Sequence, residues 1–152
     1  HTLKEILYAE YQILKALPKI IRKTEEGKLR GLFEDYLDET DQHIERIKEI
    51  FIYLDKMAKD MRSPVIGAII YEVEELILEI NDPDTRDTAL IAAVQAIQNY
   101  TITRYGTLCI WAEHLGHEDA KKRLEQSLSE ETNTSDKLGK IAKSQTNKQA
   151  AA

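Results

Sequence analysis

Cysteine is almost missing from this sequence: Cys109 stands alone among 152 residues, so no intrachain disulfide can staple the fold and a packed core must hold it. In its apolar surroundings Cys109 reads as a small buried hydrophobe, since nothing near it in sequence would activate a thiol. Chain-breakers are scarce as well. With three prolines and six glycines, few positions interrupt regular structure, and the abundant Leu, Ile, Ala, Glu and Lys are strong helix formers. No apolar run approaches the roughly 20 residues needed to span a bilayer, and the first residues lack the charged-then-apolar layout of a signal peptide. A soluble, cytoplasmic chain with no membrane partner is therefore expected. Basic charge is not in excess either: the net charge is -6 with the two signs interspersed, which leaves no positive face for phosphates and argues against nucleic acid.

What is present is helical periodicity. A chain of this length buries roughly 70% of the surface it exposes when unfolded, enough for one core. Apolar spacings of three and four mark four long amphipathic segments. The first covers about residues 2–25, with Leu3, Leu7, Leu14, Leu17 and Ile21 on one stripe, a kink expected at Pro18, and Gly27 as its C-terminal cap. The second covers about 28–58, with Leu32, Tyr36, Ile47, Ile50 and Leu54. The third starts at an Asp84 N-cap and carries Leu90, Val94, Ile97, Leu108 and Leu115 to a stop at Gly116. The fourth runs from about 118 to 141 with Leu124, Leu128, Leu138 and Ile141 inward.

Between the second and third, residues 59–83 hold a short pattern of Ile66, Ile69, Ile70, Val73 and Ile77 behind Ser63-Pro64, an N-cap with Pro in the first helical position. Two hairpins joined by one long crossover is the ferritin-like arrangement. The expected fold is thus an all-α, ferritin-like four-helix bundle over residues 1–142 with a short fifth helix in the crossover. Residues 143–152 are polar and aperiodic and are expected to fray.

The informative core positions are those where a polar residue interrupts a stripe. Glu10 does so in the first helix, Glu39 and His43 in the second, one turn apart, and Glu131 in the fourth. Counted from the breaks, Glu10 lies opposite His43 and Thr101 lies opposite Glu131, all near mid-helix. Carboxylates isolated at the middle of a bundle would cost several kcal/mol each, so they should be paired, protonated or bound to metal. Carboxylate and imidazole suit Fe, Mn or Zn, and Glu10, Glu39, His43 and Glu131 are the candidate ligands. The full two-metal pattern of such bundles, with a Glu-x-x-His on each of two helices, is incomplete: Glu39 and His43 are four apart, and the third helix offers Gln98, Asn99 and Thr101. The competing reading is a set of satisfied polar groups in a structural core, with Glu10 or Glu39 bonded to Tyr8, Tyr36, His43, Tyr100 or Gln98.

Two other constellations read as structural. The run from Glu113 to Glu118, with His114 and His117, straddles a helix end where histidine favours the dipole. The seven tyrosines and Trp111 fit the rim of a core, where their polar tips find partners.

The stretches Tyr8-Ala9-Glu10-Tyr11-Gln12-Ile13-Leu14-Lys15-Ala16-Leu17-Pro18-Lys19, Asp38-Glu39-Thr40 with Ile44-Glu45-Arg46-Ile47, and Arg86-Asp87-Thr88-Ala89-Leu90-Ile91-Ala92-Ala93 resemble the YciE/YciF family of bacterial ferritin-like proteins. So do Tyr105-Gly106-Thr107-Leu108, Ala112-Glu113-His114-Leu115-Gly116-His117 and the Glu130-Glu131 region. The resemblance spans the whole chain. It implies a ferritin-like bundle, a homodimer and a link to bacterial stress responses, without a firmly assigned activity. Glu10, Glu39 and Glu131 match the family's acidic positions, and His43 stands where Gln is common. Gln98-Asn99-Tyr100-Thr101 stands where the family reads Glu-His-Tyr-Glu, and Ser135 where Asp is common. The resulting expectation is a stress-associated structural or interaction protein with a degenerate metal site and no assigned catalytic residue; the alternative is an Fe- or Mn-dependent oxidase or peroxidase.

Overall fold

The computed structural model describes the backbone of residues 1–151 and the side chains of residues 1–145. Among them are five helices: α1 (Thr2–Lys23), α2 (Gly27–Tyr53), α3 (Pro64–Glu79), α4 (Pro83–His114) and α5 (Glu118–Ala151). Antiparallel hairpins α1/α2 and α4/α5 pack through α2 against α5 and α1 against α4, and α3 crosses outside on α1 and α4. This is the hairpin, crossover, hairpin connectivity expected from the sequence. The core is formed by Leu7, Ile13 and Leu17 of α1, Phe33, Ile44 and Ile47 of α2, Leu90, Val94 and Ile97 of α4, and Leu124 and Leu138 of α5. No described helix is long and apolar enough to cross a membrane.

The helix ends correct several expectations. Gly27 does not cap α1: that helix stops at Lys23, and Gly27 is the first residue of α2 behind a Glu26 N-cap whose carboxylate accepts from Leu29 N–H. A left-handed glycine is unnecessary because side chains elsewhere satisfy the turn. Asp87 of α4 accepts from the N–H groups of Glu25 (3.0 Å) and Glu26 (2.8 Å), while Arg86 Nε donates to the Lys23 carbonyl at 3.0 Å. A carboxylate thus meets the amide end of one helix and a guanidinium the carbonyl end of the other, as the helix dipoles favour. Arg30 adds donors to the carbonyls of Thr24 and Glu25.

Helix α2 ends at Tyr53 rather than near 58, because Asp55 adopts φ 51° and closes a Schellman turn: Asp55 N–H bonds to Ile52 O and Lys56 N–H to Phe51 O. Helix α4 ends as expected at Gly116, φ 73°, with the same pair of bonds, Gly116 N–H to Glu113 O and His117 N–H to Ala112 O. The N-cap of α4 is Asp82, which accepts from Thr85 N–H, and not Asp84, because Pro83 fills the first helical position. Ser63 precedes Pro64 at the start of α3, but its hydroxyl pairs with Tyr100 OH at 2.9 Å instead of capping. Helix α1 continues unbroken through Pro18. Helix α5 continues past Ile141 through Ala151; the side chains beyond 145, in the segment expected to fray, lie outside those described.

Two stability measurements check this account of the helix ends. Asp87→Ala removes the acceptor of the Glu25 and Glu26 N–H groups at the α1/α2 turn and is expected to cost about 1–2 kcal/mol in chemical denaturation. Gly116→Ala, which meets open space but a left-handed backbone, is expected to cost about 1 kcal/mol; an unchanged stability in either variant would contradict the role of that residue in its turn.

Candidate metal centre

The centre forms where the buried faces of α1, α2, α4 and α5 meet at mid-bundle. Glu10, His43, Gln98, Thr101 and Glu131 are all fully buried there. His43 Nδ1 lies 3.3 Å from Glu10 Oε1 and 3.5 Å from Glu131 Oε1, so the register inferred from hairpin counting is realised. Its other nitrogen, Nε2, lies 3.0 Å from Glu130 Oε2. Tyrosines then hold the acids from behind: Tyr105 OH donates to Glu10 Oε1 at 2.5 Å, and Tyr36 OH donates to Glu131 at 3.2 Å. Thr101, placed opposite Glu131 by the sequence, is buried at the same level, donates to the Gln98 carbonyl at 3.0 Å, and has a minor lowering influence on the Glu131 carboxyl.

The fourth sequence candidate is elsewhere. Glu39 is half-buried at the rim and accepts from Thr134 Oγ1 at 2.9 Å. The helical twist explains the separation. At about 100° per residue, Tyr36 and His43 lie within ~20° of each other, whereas Glu39 lies ~40° to the far side of His43. Burial is the main influence that raises the Glu39 carboxyl.

Sequence reasoning missed Glu130 as a partner of His43, along with its own clamp. Arg46 grips Glu130 with two parallel bonds, Nη1 to Oε2 at 2.6 Å and Nη2 to Oε1 at 2.9 Å. The available signal was Arg46 itself, three residues after His43 and on the same seam with α5. Tyr105 was also missed as the partner of Glu10; it lies one turn beyond Thr101 on the buried face of α4.

These charges perturb one another strongly. Burial alone would lower the His43 pKa, but the charge of Glu10, with Glu130 and Glu131, outweighs it and raises the imidazole to about 11. Burial raises the Glu131 carboxyl to about 7, with His43 opposing and Glu10 adding. For Glu130 burial is again adverse, yet His43 and Arg46 hold it down at about 2. Burial, followed by the neighbouring carboxylates, pushes the Tyr36 and Tyr105 phenols well above their ordinary range.

The residues fit a cation. One ligand atom each from Glu10, His43 and Glu131 lie within 4.8 Å of one another, near the ~3–4 Å spacing of neighbouring ligands around an ion with ~2.1 Å bonds. Glu10 Oε2 and His43 Nδ1, both buried, have no hydrogen-bond partner; the ion-pair distances of Nδ1 come without an aligned N–H. Such orphaned atoms are rare in folded proteins and ask for a reason. The remaining polar atoms of the trio are held by Tyr36, Tyr105 and Glu130. Elsewhere, His117 packs edge-on against Tyr53 and Glu113 pairs with Lys121, so that helix end is structural, and burial lifts the Cys109 thiol to about 11, as for an inert core residue.

The sequence matches the family described as Domain of unknown function (DUF892) over residues 1–151. The chain belongs to the DUF892 family. A curated relative, Protein YciF from Escherichia coli strain K12, is 38% identical over 151 residues, which is 99% of this chain and 91% of the relative. Among solved structures, that of the E. coli stress protein YciF superposes with a TM-score of 0.93 at 38% identity, covering 97% of this chain and 94% of YciF. YcfI of Rhodopseudomonas palustris, to which a structural role is ascribed, superposes with a TM-score of 0.89 at 40% identity, covering 91% of this chain and 88% of YcfI. These DUF892 matches span the chain, so the family resemblance read from the sequence holds, and with it the all-helical fold.

The charge balance gives a pH test on metal-free protein. A raised folded pKa contributes stability that is complete below the unfolded value and is lost as pH rises through the folded one. His43 and Glu131 therefore weaken the fold as pH climbs, through about 7 for Glu131 and toward about 11 for His43. Glu130, lowered to about 2, contributes above its unfolded pKa and is lost in acid. Thermal unfolding should show greatest stability in mildly acidic solution and a decline from pH 7 to 10; a flat profile across that range would refute the arrangement.

Proposed function

We propose that this chain is a stress-associated helical-bundle protein that holds one divalent transition-metal ion, Fe(II) or Mn(II), between Glu10, His43 and Glu131. The observation that carries the reading is that Glu10, His43 and Glu131 each bring a ligand atom within 4.8 Å of the others, while two of the buried atoms of this trio, Glu10 Oε2 and His43 Nδ1, have no hydrogen-bond partner. Two carboxylates and an imidazole form a donor set suited to these ions. The trio is fully buried, which favours an ion that braces the bundle over one that turns over an external substrate. The stress connection is drawn from the similarity to YciF. The homodimer belongs to the same proposal, with outward apolar side chains such as Tyr71 and Leu78 of α3 as its contact.

A second reading is a metal-free structural protein in which the His43 imidazolium itself supplies the central positive charge. It is favoured by α4, which brings the neutral Gln98 and Thr101 to the buried centre where acids would serve a pair of ions, and by the structural role ascribed to YcfI.

Elemental analysis of protein from iron- and manganese-supplemented growth separates the two. One ion per chain is expected, lost in Glu10→Gln, with a rise in stability of about 2.7 kcal/mol at a free-ion concentration 100 times Kd. Metal-free protein from both cultures would leave the structural reading standing, and rapid oxidation of Fe(II) with oxygen would shift the proposal to an oxidase.

A further inference from the structure

Glu130 and Arg46 form a closely bonded unit beside the centre. Both Glu130 oxygens are engaged: Oε1 accepts from Arg46 Nη2 at 2.9 Å and Gln126 Nε2 at 3.3 Å, and Oε2 accepts from Arg46 Nη1 at 2.6 Å and faces His43 Nε2 at 3.0 Å. Arg46 is pinned in turn, its Nη1 donating to the buried Ser127 hydroxyl at 3.2 Å and its Nη2 to Gln42 Oε1 at 3.3 Å. Two-pronged Arg–carboxylate pairing fixes direction as well as charge. The side chains are largely shielded from water, Arg46 12% and Glu130 25% exposed, so the geometry is not averaged by solvent.

The consequence falls on the imidazole. A carboxylate held against Nε2 can only accept, so the Nε2 position must carry the proton. A neutral His43 then has its lone pair on Nδ1, the atom that faces Glu10 and Glu131 and lacks a partner. Glu130 cannot itself serve as a ligand without abandoning the Arg46 clamp. A histidine ligand with its second nitrogen bonded to a carboxylate is fixed in tautomer and ring orientation and is a more basic donor.

We propose that the Arg46–Glu130 pair is a positioning device that commits His43 to bind metal through Nδ1 and sets the affinity of the centre. The proposal rests on the reading of Glu10, His43 and Glu131 as a metal site, and it adds to that reading which nitrogen binds and which residues outside the ligand set control it.

The test uses the full chain, Zn(II) and Co(II). In 15N-histidine-labelled wild-type protein loaded with Zn(II), long-range proton–nitrogen correlation should show His43 metallated at Nδ1 with the proton on Nε2. Titration with Co(II), followed by its visible absorption, should give 10- to 100-fold weaker binding for Glu130→Gln and for Arg46→Gln, with a shifted Co(II) spectrum and an unchanged helical circular dichroism. Arg46→Lys, which keeps the charge but loses the two-pronged grip, should fall between wild type and Arg46→Gln. Metallation at Nε2 in the wild type would overturn the proposal even if every variant failed to fold. So would Co(II) affinity and spectrum unchanged in a folded Glu130→Gln, and that outcome would leave the metal site itself intact. Wild-type protein that takes up neither ion would overturn both.

Discussion

An imidazole with no exposed surface is surrounded at the centre of this bundle by three carboxylates, and most of the local architecture follows from accommodating it. Glu10 and Glu131 lie on its Nδ1 side and Glu130 on its Nε2 side. Left without compensation, buried charges of this kind would cost more than a small domain can spare. Compensation comes in layers: Tyr105 and Tyr36 donate to the first two acids, and Arg46 neutralises the third. The groups involved come from all four long helices, so the polar centre specifies the mutual placement of α1, α2, α4 and α5 as tightly as the apolar core does.

The same constraint organises the α2–α5 seam. Glu39 to Thr134, His43 to Glu130, Arg46 to Ser127 and Glu49 to Arg123 step along it in antiparallel order. A slide of one turn would break all of these together. Apolar ridges tolerate repacking more readily than directional bonds do, so the seam supplies a register that Leu and Ile alone would define more loosely.

Much of this was legible in the sequence because it depends on periodicity and on counting from turns. The meeting of Glu10 with His43, and of Thr101 with Glu131, needed only equal distances from two hairpin breaks. The exclusion of Glu39 needed finer angular accounting: Leu29, Phe33, Tyr36, Thr40, His43, Ile47 and Ile50 are the buried stripe of α2, and Glu39 lies at its edge. Glu130, one residue away from the core position of Glu131, falls on no apolar stripe; only the location of Arg46 across the seam makes it a partner. The α1/α2 turn was misread for a different reason. A glycine suggested a local cap, whereas the groups that satisfy the turn, Arg86 and Asp87, are about sixty residues away in sequence, where no short-range rule can find them.

That distant pair also bears on how the chain acquires its structure. Because the first hairpin's turn borrows its donors and acceptors from the beginning of α4, an α1/α2 unit formed on its own would leave the amides of Glu25 and Glu26 and the carbonyl of Lys23 to water. Closure of the first hairpin is thereby tied energetically to arrival of the second. A nascent chain that has emerged only as far as α3 holds the apolar half of its core without the groups that fasten it, so the transition to the native state should be a joint event of both halves, with little scope for a stable half-bundle.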